Sequence, residues 1–553
     1  MSNINKISGN KLRGGKILFL CLILLFLILE FLLALTPPIA RDALIHHLAI
    51  PKLWLIHGGF YETPWAEYSY YPMNLSLLYL IPLYFGNDII PNFIHLAFGI
   101  GTGALLYDYL NKRCGQLAGL LGALLFISLP IILRTATTAY VDVGLVFFVT
   151  LSSLAFLYWR DAKYKNNGWL LISAAAMGLA LGTKYSALPA WFFLTLAVVF
   201  IYSRDTGRQG KALQYGLLSF LVSLAVFSPW MMKNALLTGN PLFPLYKSVF
   251  GAGGASSLSF SSVVSSDVGW GVFRIRQILY GDSFWETLLI PLRFFLQGQD
   301  NTPRYFDGVL NPVLPFLVPF AFMNGKLKME KLFFLTFAVF FILLAFFTDK
   351  HRIRYILPAV PLVIILTVVG LNNVFNWIMN QKRTWRSLGL TVFVFVLAGM
   401  VGFNAVYAKN YFMQIAPVDY VVNKESRDQF ISRHVANYPA VQFINRHTPE
   451  NSKILLILLA GRGYYLDRPY EENASFGMNI IHHLVSSSQE GEEAFRKYLR
   501  SLNCTHILIR QDLFHQFVQD HYSAEQLKKL YTCLSRTTTR IFRDPYCEVI
   551  QLQ

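Results

Sequence analysis

Ionisable side chains are scarce in this chain, so those that interrupt its apolar stretches are where chemistry should be sought. Of 553 residues, 14% are charged and 54% hydrophobic. Arg41-Asp42 follows the first apolar run, and Arg134 and Asp142 bracket the segment Arg134-Thr-Ala-Thr-Thr-Ala-Tyr140-Val-Asp142. Lys184 sits in Gly182-Thr183-Lys184-Tyr185. Lys233 and Asn234 follow Pro229-Trp230, ahead of the turn sequence Thr238-Gly239-Asn240-Pro241. Asp349, Lys350, His351, Arg352 and Arg354 open a late apolar run. A carboxylate can remove a hydroxyl proton, and fixed cations can hold a phosphate and stabilise its charge as it leaves. Asp42 and Asp142 among several Arg and Lys residues therefore suit a reaction between a hydroxyl and a phosphate-bearing substrate. If that phosphate belongs to a lipid, the membrane interface is where both substrates meet.

Each residue also has a simpler reading. Asp42 could pair with Arg41 at the surface, Asp142 could cap a helix, Lys184 could snorkel, and Arg352 and Arg354 could be boundary charges. His46-His47 resembles a metal pair, but neighbours on a helix point in different directions. The argument rests on convergence, which depends on topology.

A soluble protein carries about 25% charged residues; this chain, with mean hydropathy +0.42, does not. Its net charge of +17 falls largely in short loops between apolar runs, the pattern of membrane orientation rather than of nucleic-acid binding. Lys6, Lys11, Arg13 and Lys16 precede the run from Ile17 to Leu35. That run is long for a signal peptide, and Thr36-Pro37-Pro38-Ile39-Ala40 is a poor cleavage site, so it reads as a first span leaving a cytoplasmic N-terminus. Residues 37–88, broken by Pro51, Pro64, Pro72 and Pro82, read as an outer loop with interfacial helices; within it, the stretch from Leu75 to Phe85 also reads as a short span. Further spans are expected at residues 89–110, 117–133, 143–159, two within 169–202 divided near Lys184, then 213–230, 308–324, 332–348, 355–377 and 387–407, with a long outer loop at 231–305. The expected fold is a polytopic α-helical membrane protein of about 11 spans. Every expected inner loop carries at least two basic residues, and an odd count sends residues 408–553 to the outer face. The polar residues above then gather on that same face, where ionisable groups usually meet a cavity or partner.

The tail has a different texture. The stretches Ile454-Leu-Leu-Ile457 and His506-Ile-Leu-Ile509 read as short buried strands, and residues 490–502 and 524–534 as helices. A small extracytoplasmic α/β domain at 408–553 is expected, beside a transmembrane domain at 1–407. Cys504, Cys533 and Cys547 allow one bridge there without selecting the pair. No CxxC or zinc-ligand spacing occurs.

At this point the residues resemble a family. Arg41-Asp42 through Pro51-Lys52 to Gly58-Gly59, then Tyr68-Ser-Tyr-Tyr71-Pro72, looks like the first outer loop of GT-C glycosyltransferases, in the bacterial branch related to protein O-mannosyltransferases and the lipid A aminoarabinose transferase. Ala139-Tyr140-Val141-Asp142, Gly182-Thr183-Lys184-Tyr185, Pro229-Trp230-Met-Met-Lys233-Asn234 with Thr238-Gly239-Asn240-Pro241, Arg352-Ile-Arg354-Tyr355 and Gly463-Tyr464-Tyr465-Leu466-Asp467-Arg468-Pro469 continue the match. The resemblance implies inverting transfer of a sugar from a polyprenyl-phosphate donor to a hydroxyl on a lipid, glycan or protein acceptor, at the outer face of a cytoplasmic membrane. It implies Asp42 as catalytic base and Asp142 as a second catalytic carboxylate. Lys184, Arg134, Arg352 and Arg354 become donor-phosphate ligands, and His46, Tyr71, Lys233, Asn234 and Asn240 substrate contacts. A divalent metal ion is left open. Two features depart from the pattern: Ala43, not a second acid, follows Asp42, and Ser69-Tyr70-Tyr71-Pro72 stands where some relatives carry Glu-Lys-Pro-Pro. The alternative is a transporter or flippase of lipid-linked sugar, but transporters place their sites near the midplane of repeated halves, and no internal repeat is seen.

Overall fold

The computed structural model describes residues 2–63, 65–246, 249–250, 271–347, 351–460, 462–472 and 478–552. Asp349 and Lys350 lie outside the described residues. The chain begins with α1 (Ser2–Ala34), followed by two shorter helices of the expected outer loop, α2 (Ala49–His57) and α3 (Asn74–Tyr84). Then come α4 (Ile90–Cys114), α5 (Gln116–Ile127), α6 (Pro130–Ala136), α7 (Asp142–Asp161), α8 (Asn167–Leu181), α9 (Leu188–Thr206) and α10 (Gln209–Thr238). Three small helices, α11 (Gly271–Tyr280), α12 (Phe284–Leu288) and α13 (Ile290–Leu296), precede the short α14 (Leu314–Leu317). The bundle closes with α15 (Lys328–Phe346), α16 (Val360–Met379) and α17 (Arg383–Ile415).

Among the described residues, eight helices are long and apolar enough to cross a membrane, or nine if the bent pair α5 and α6 is one span. The expected eleven would require two shorter apolar stretches, α8 and Leu314–Met323, to cross as well. The expected span 117–133 is broken at Ser128-Leu129, where Pro130 starts α6 at 65° to α5; the proline cannot donate into the preceding turn. The span expected to exit at Pro229-Trp230 instead continues to Thr238 with Pro229 inside it, as membrane helices tolerate. Lys233 and Asn234 are therefore helical, not in a loop. The last span also runs past residue 407, to Ile415.

From Val360 to Leu371 α16 is buried at every position and almost entirely apolar, which makes it the centre of the bundle. α1 and α17 expose leucine, valine and phenylalanine side chains outward. One end of the bundle is stitched by ion pairs: Arg113 with Glu330 at 3.0 Å and with Asp161, and Arg160 with Asp205 at 2.6 Å. These join the far ends of α4, α7, α9 and α15, leaving the opposite ends free to build the site.

The tail holds a five-stranded sheet. Strands β1 (Ile454–Ile457), β2 (Tyr470–Glu472), β3 (His506–Arg510), β4 (Thr538–Arg543) and β5 (Cys547–Leu552) are ordered β2-β1-β3-β5-β4. β1 pairs parallel with β2 and β3, while β5 runs antiparallel to β3 and β4. β1 is buried at every position, as a continuous apolar run in a parallel strand requires. Helices Glu492–Ser501 and Ala524–Thr537 occupy the expected stretches. All five cysteines are free. Cys533 and Cys547 belong to different cores, one on each face of the sheet, so those two cannot bridge without crossing it.

Candidate active site

Asp42 starts a five-residue π-helical turn (Ala43–His47) immediately before α2 and makes no side-chain cap. Its partner is not Arg41 but Arg354, whose guanidinium lies 2.5 Å from the Asp42 carboxylate. Arg354 belongs to a short 3-10 turn, Ile353–Tyr355, ahead of α16. Asp142 is the first residue of α7; Val141 occupies the capping position and no side chain caps the helix. Lys184, between α8 and α9, donates to Asp142 at 2.7 Å. The capping reading of Asp142 and the local-pair reading of Asp42 are both displaced by these partnerships. Four chain segments, remote in sequence, meet here through two carboxylate–cation pairs.

The electrostatics of the first pair are specific. Burial alone would raise the Asp42 carboxyl, but Arg354, with its charge and its hydrogen bond, holds it well below the usual carboxylate range. His46 contributes little at neutral pH, because burial pulls its own value down to about 4. His47 is pushed in the same direction, again by burial first. For Arg354, burial opposes the charge while Asp42 and then Asp142 restore it, so both carboxylates act on one guanidinium. Tyr140 lies between them: its ring is 5.8 Å from the Arg354 guanidinium, and its hydroxyl accepts from the Asp42 backbone N–H at 3.5 Å. Among the described residues, Oδ2 of Asp142 and Nδ1 of His46 and His47 are buried without a hydrogen-bond partner.

The remaining candidates separate into two neighbouring groups. Arg134 pairs with Asp300 at 2.8 Å and Asp307 at 3.1 Å, while Arg352 stands 3.9 Å from Asp307. Arg134 is thus committed to the 300–307 strap, leaving Lys184 and Arg354 as the cations beside the two carboxylates. In the second group, Asn234 donates to the carbonyls of Tyr70 at 2.8 Å and Phe243 at 3.1 Å, and Lys233 donates to the carbonyl of Ser69 amid the rings of Trp54, Tyr70 and Trp230. Asn240 is fully buried and folds its own turn, donating to Leu245 O and accepting from Leu242 N–H. These three hold the 69–71 segment and the 240–245 turn in place, largely through hydrogen bonds to backbone, with Asn234 donating also to the Tyr185 hydroxyl at 3.1 Å. Tyr71 is held by that segment, its ring 6.0 Å from Tyr185, and His46 stacks on Tyr68 at 4.9 Å.

Sequence reasoning missed the groups that fix the carboxylates. His95 in α4 bonds the carbonyls of Thr135 and Thr138 through Nδ1, at 2.9 and 2.8 Å, and accepts from Val143 N–H at Nε2. That network assigns the Nδ1–H tautomer and clamps the first turn of α7 beside Asp142. Asn92, one turn earlier, donates to the carbonyls of Ala34 and Thr36 at 3.1 Å each, fixing the exit of α1 ahead of Asp42. The available signal was a pair of polar residues inside an apolar span, which membrane burial makes costly.

A divalent metal does not suit this donor set. Both carboxylates are occupied by cations, and among the described residues no three His, Cys, Asp or Glu side chains converge as a hard cation needs.

Comparison with known proteins bears on the fold that carries these residues. Residues 77–232 match the family model described as dolichyl-phosphate-mannose-protein mannosyltransferase. A curated relative, undecaprenyl phosphate-alpha-4-amino-4-deoxy-L-arabinose arabinosyl transferase 2 of Pseudomonas fluorescens, is 22% identical over 313 residues, covering 51% of each chain; the match thus spans about half the length of that relative. Among solved structures, ArnT from Cupriavidus metallidurans bound to undecaprenyl phosphate superposes with a TM-score of 0.58 at 14% identity, over 97% of this chain and 98% of that one. The archaeal oligosaccharyltransferase AglB from Archaeoglobus fulgidus, in complex with an inhibitory peptide and a dolichol-phosphate, gives 0.53 at 12% identity, over 96% of this chain and 73% of that one. At these identities the likeness establishes a shared fold.

Proposed function

We propose that this chain, which has the GT-C fold and is related to the protein mannosyltransferases and aminoarabinose transferases, moves a sugar from a polyprenyl-phosphate donor to an acceptor hydroxyl at the outer face of the cytoplasmic membrane. The observation that carries this reading is the double pair, Asp42–Arg354 and Asp142–Lys184, at one end of the bundle. The donors in the related proteins' names, undecaprenyl phosphate-aminoarabinose and dolichyl-phosphate-mannose, have the same chemistry: a sugar joined through its anomeric carbon to a lipid phosphate.

In this reaction Asp42 takes the proton of the acceptor hydroxyl, whose oxygen attacks the anomeric carbon as the bond from that carbon to the phosphate oxygen breaks. The lipid phosphate leaves with one more negative charge, and Arg354 and Lys184 stabilise it. Attack opposite the departing phosphate inverts the anomeric centre. Pairing to Arg354 makes Asp42 a weak base before substrate arrives. A donor phosphate that draws on the same guanidinium weakens the pair and raises the basicity of Asp42 when the donor is in place. Asp142, buried at 2% side-chain exposure, holds Lys184 beside the leaving phosphate.

The test is transfer from a radiolabelled undecaprenyl-phosphate sugar by the reconstituted chain. Asp42→Asn should lose roughly 10²- to 10⁴-fold in rate, the usual scale of general-base removal, with unchanged protein yield. A wild-type rate in that variant would sink the assignment.

A further inference from the structure

A second concave site lies beside the outer loop, where α2 meets the segment leading into β2. It is a cleft of about 350 Å³ walled by Leu53, Ile56, Tyr61 and Trp65 on one side and Arg468 and Tyr470 on the other, within the range of small-molecule sites. Its floor is rigid. Lys52 donates to the carbonyls of Tyr464 and Leu466, at 2.9 Å each, and to the Asp467 carboxylate at 3.0 Å. Trp65 packs edge-on to Tyr470 at 5.3 Å, and His57 stacks on Tyr61 at 4.1 Å. A Cβ on Gly463 would fall 2.2 Å from the Tyr470 ring, so only glycine lets that ring seat against the wall.

The chemistry of the lining selects a ligand class. Aromatic plates present apolar faces with polar edges. Two pairs at the rim cancel, Lys52 with Asp467 and Lys453 with Glu471 at 2.8 Å, and the remaining cation, Arg468, spends its Nη2 on the backbone carbonyls of Asn445 and Thr448 at 2.8 Å each rather than on the cleft. Among the described residues, Nε of Arg468 is buried without a hydrogen-bond partner. Apolar plates surrounded by neutralised hydrogen-bonding groups match a neutral saccharide, whose ring faces are apolar and whose edges are hydroxyls. Ala49, which lines the cleft, follows Asp42 by seven residues along one helical segment, roughly 10 Å at the rise of a helix. We propose that this cleft is a binding site for an uncharged oligosaccharide, which, on the transferase reading above, is a stretch of a glycan acceptor whose end reaches Asp42.

The test uses the full chain in nanodiscs, probed with arrayed neutral, anionic and cationic oligosaccharides and with extended synthetic peptides. Wild type should retain neutral oligosaccharides, and Tyr61→Ala with Trp65→Ala should weaken that binding at least tenfold. Ile56→Arg, a change at an exposed position of the cleft mouth, should weaken it without disturbing the fold, and Trp65→Phe should restore most of it. Preference for peptides or for anionic glycans, or equal retention by wild type and Ile56→Arg, would overturn the proposal. Asp42→Asn separates the two readings: it should bind the oligosaccharide normally. Binding without any transfer by wild type would defeat the transferase reading alone. Transfer to a short acceptor without oligosaccharide binding would defeat the cleft alone.

Discussion

Arg354 is the residue on which the proposed chemistry turns, because it sets the charge state of Asp42. Asp42 is held below its unfolded value by Arg354, so its contribution to stability is fully present above the unfolded carboxylate range and is lost only as pH falls through the depressed folded value. Wild-type rates should therefore show no acid limb from Asp42 above about pH 4, the unfolded carboxylate range. In Arg354→Gln the guanidinium is gone and burial, the largest influence on Asp42, is opposed only by His46 and His47, which raises the carboxyl. An acid limb should then enter the accessible range, with rates falling as pH drops, and KM for the lipid-linked donor should rise. A pH–rate profile of Arg354→Gln identical in shape to wild type would remove Asp42 from the titrating pair. The identities of Asp42 and Asp142 were legible as isolated acids after apolar runs; their partners were not. Arg41 is adjacent in sequence, yet Arg354, 312 positions away, makes the pair, and only folding brings them together.

At the scale of elements, the position of Lys184 depends on how closely α3 approaches the end of α8. Asn74 at the start of α3 donates its backbone N–H to the Gly182 carbonyl at 2.9 Å and its side chain to Leu179 O at 3.2 Å. Trp230 of α10 donates to the same side chain at 2.7 Å. A Cβ at Gly182 would stand 2.2 Å from that pinned amide. Gly182→Ala should therefore push α3 away, at a cost of about 1–3 kcal/mol typical of overpacking, read as a lower unfolding temperature in detergent. Transfer should fall with it, because Lys184 is two residues away. Unchanged stability and activity together would show that α3 is not a fixed wall of the site. Helix positions were largely readable from apolar period and basic loops, since both follow from the bilayer. Bends and ends were less so: Pro130 breaks a span while Pro229 does not, and the difference lies in tertiary support that composition does not record. His95 and Asn92 were hidden for the related reason that their partners are backbone carbonyls, which carry no sequence signature.

For the whole molecule, the tail constrains topology independently of hydropathy. Asp88, at the end of the outer loop, accepts from Arg427 at 2.6 Å and from Tyr464 at 3.2 Å, and Tyr465 donates to Pro38 O at 2.6 Å. The exit of α1 and the domain after α17 therefore share a face, which demands an odd number of crossings. Eight long helices cannot satisfy this; nine or eleven can. The choice between them rests on α8 and Leu314–Met323. Lys184 and Asp142 put the starts of α9 and α7 at the site end, while Arg160 and Asp205 put their far ends together at the other. α8 connects the far end of α7 to the near end of α9, so it must traverse the bundle despite its 15 residues. The segment before α15 must descend likewise, from a loop near Asp307 to Lys331, which donates to Ala321 O at 2.8 Å. We propose eleven crossings with the site outside, and this proposal gives a direct expectation. A membrane-impermeant maleimide applied to intact spheroplasts should label Lys528→Cys, in the tail. It should label Lys382→Cys and Lys165→Cys, in two basic loops, only after the membrane is opened. Labelling of Lys165→Cys from outside would mean that the helices before it, α1, α4, α5 with α6, and α7, do not make four crossings; labelling of Lys528→Cys only from inside would invert the whole arrangement and place the Asp42 pair in the cytoplasm.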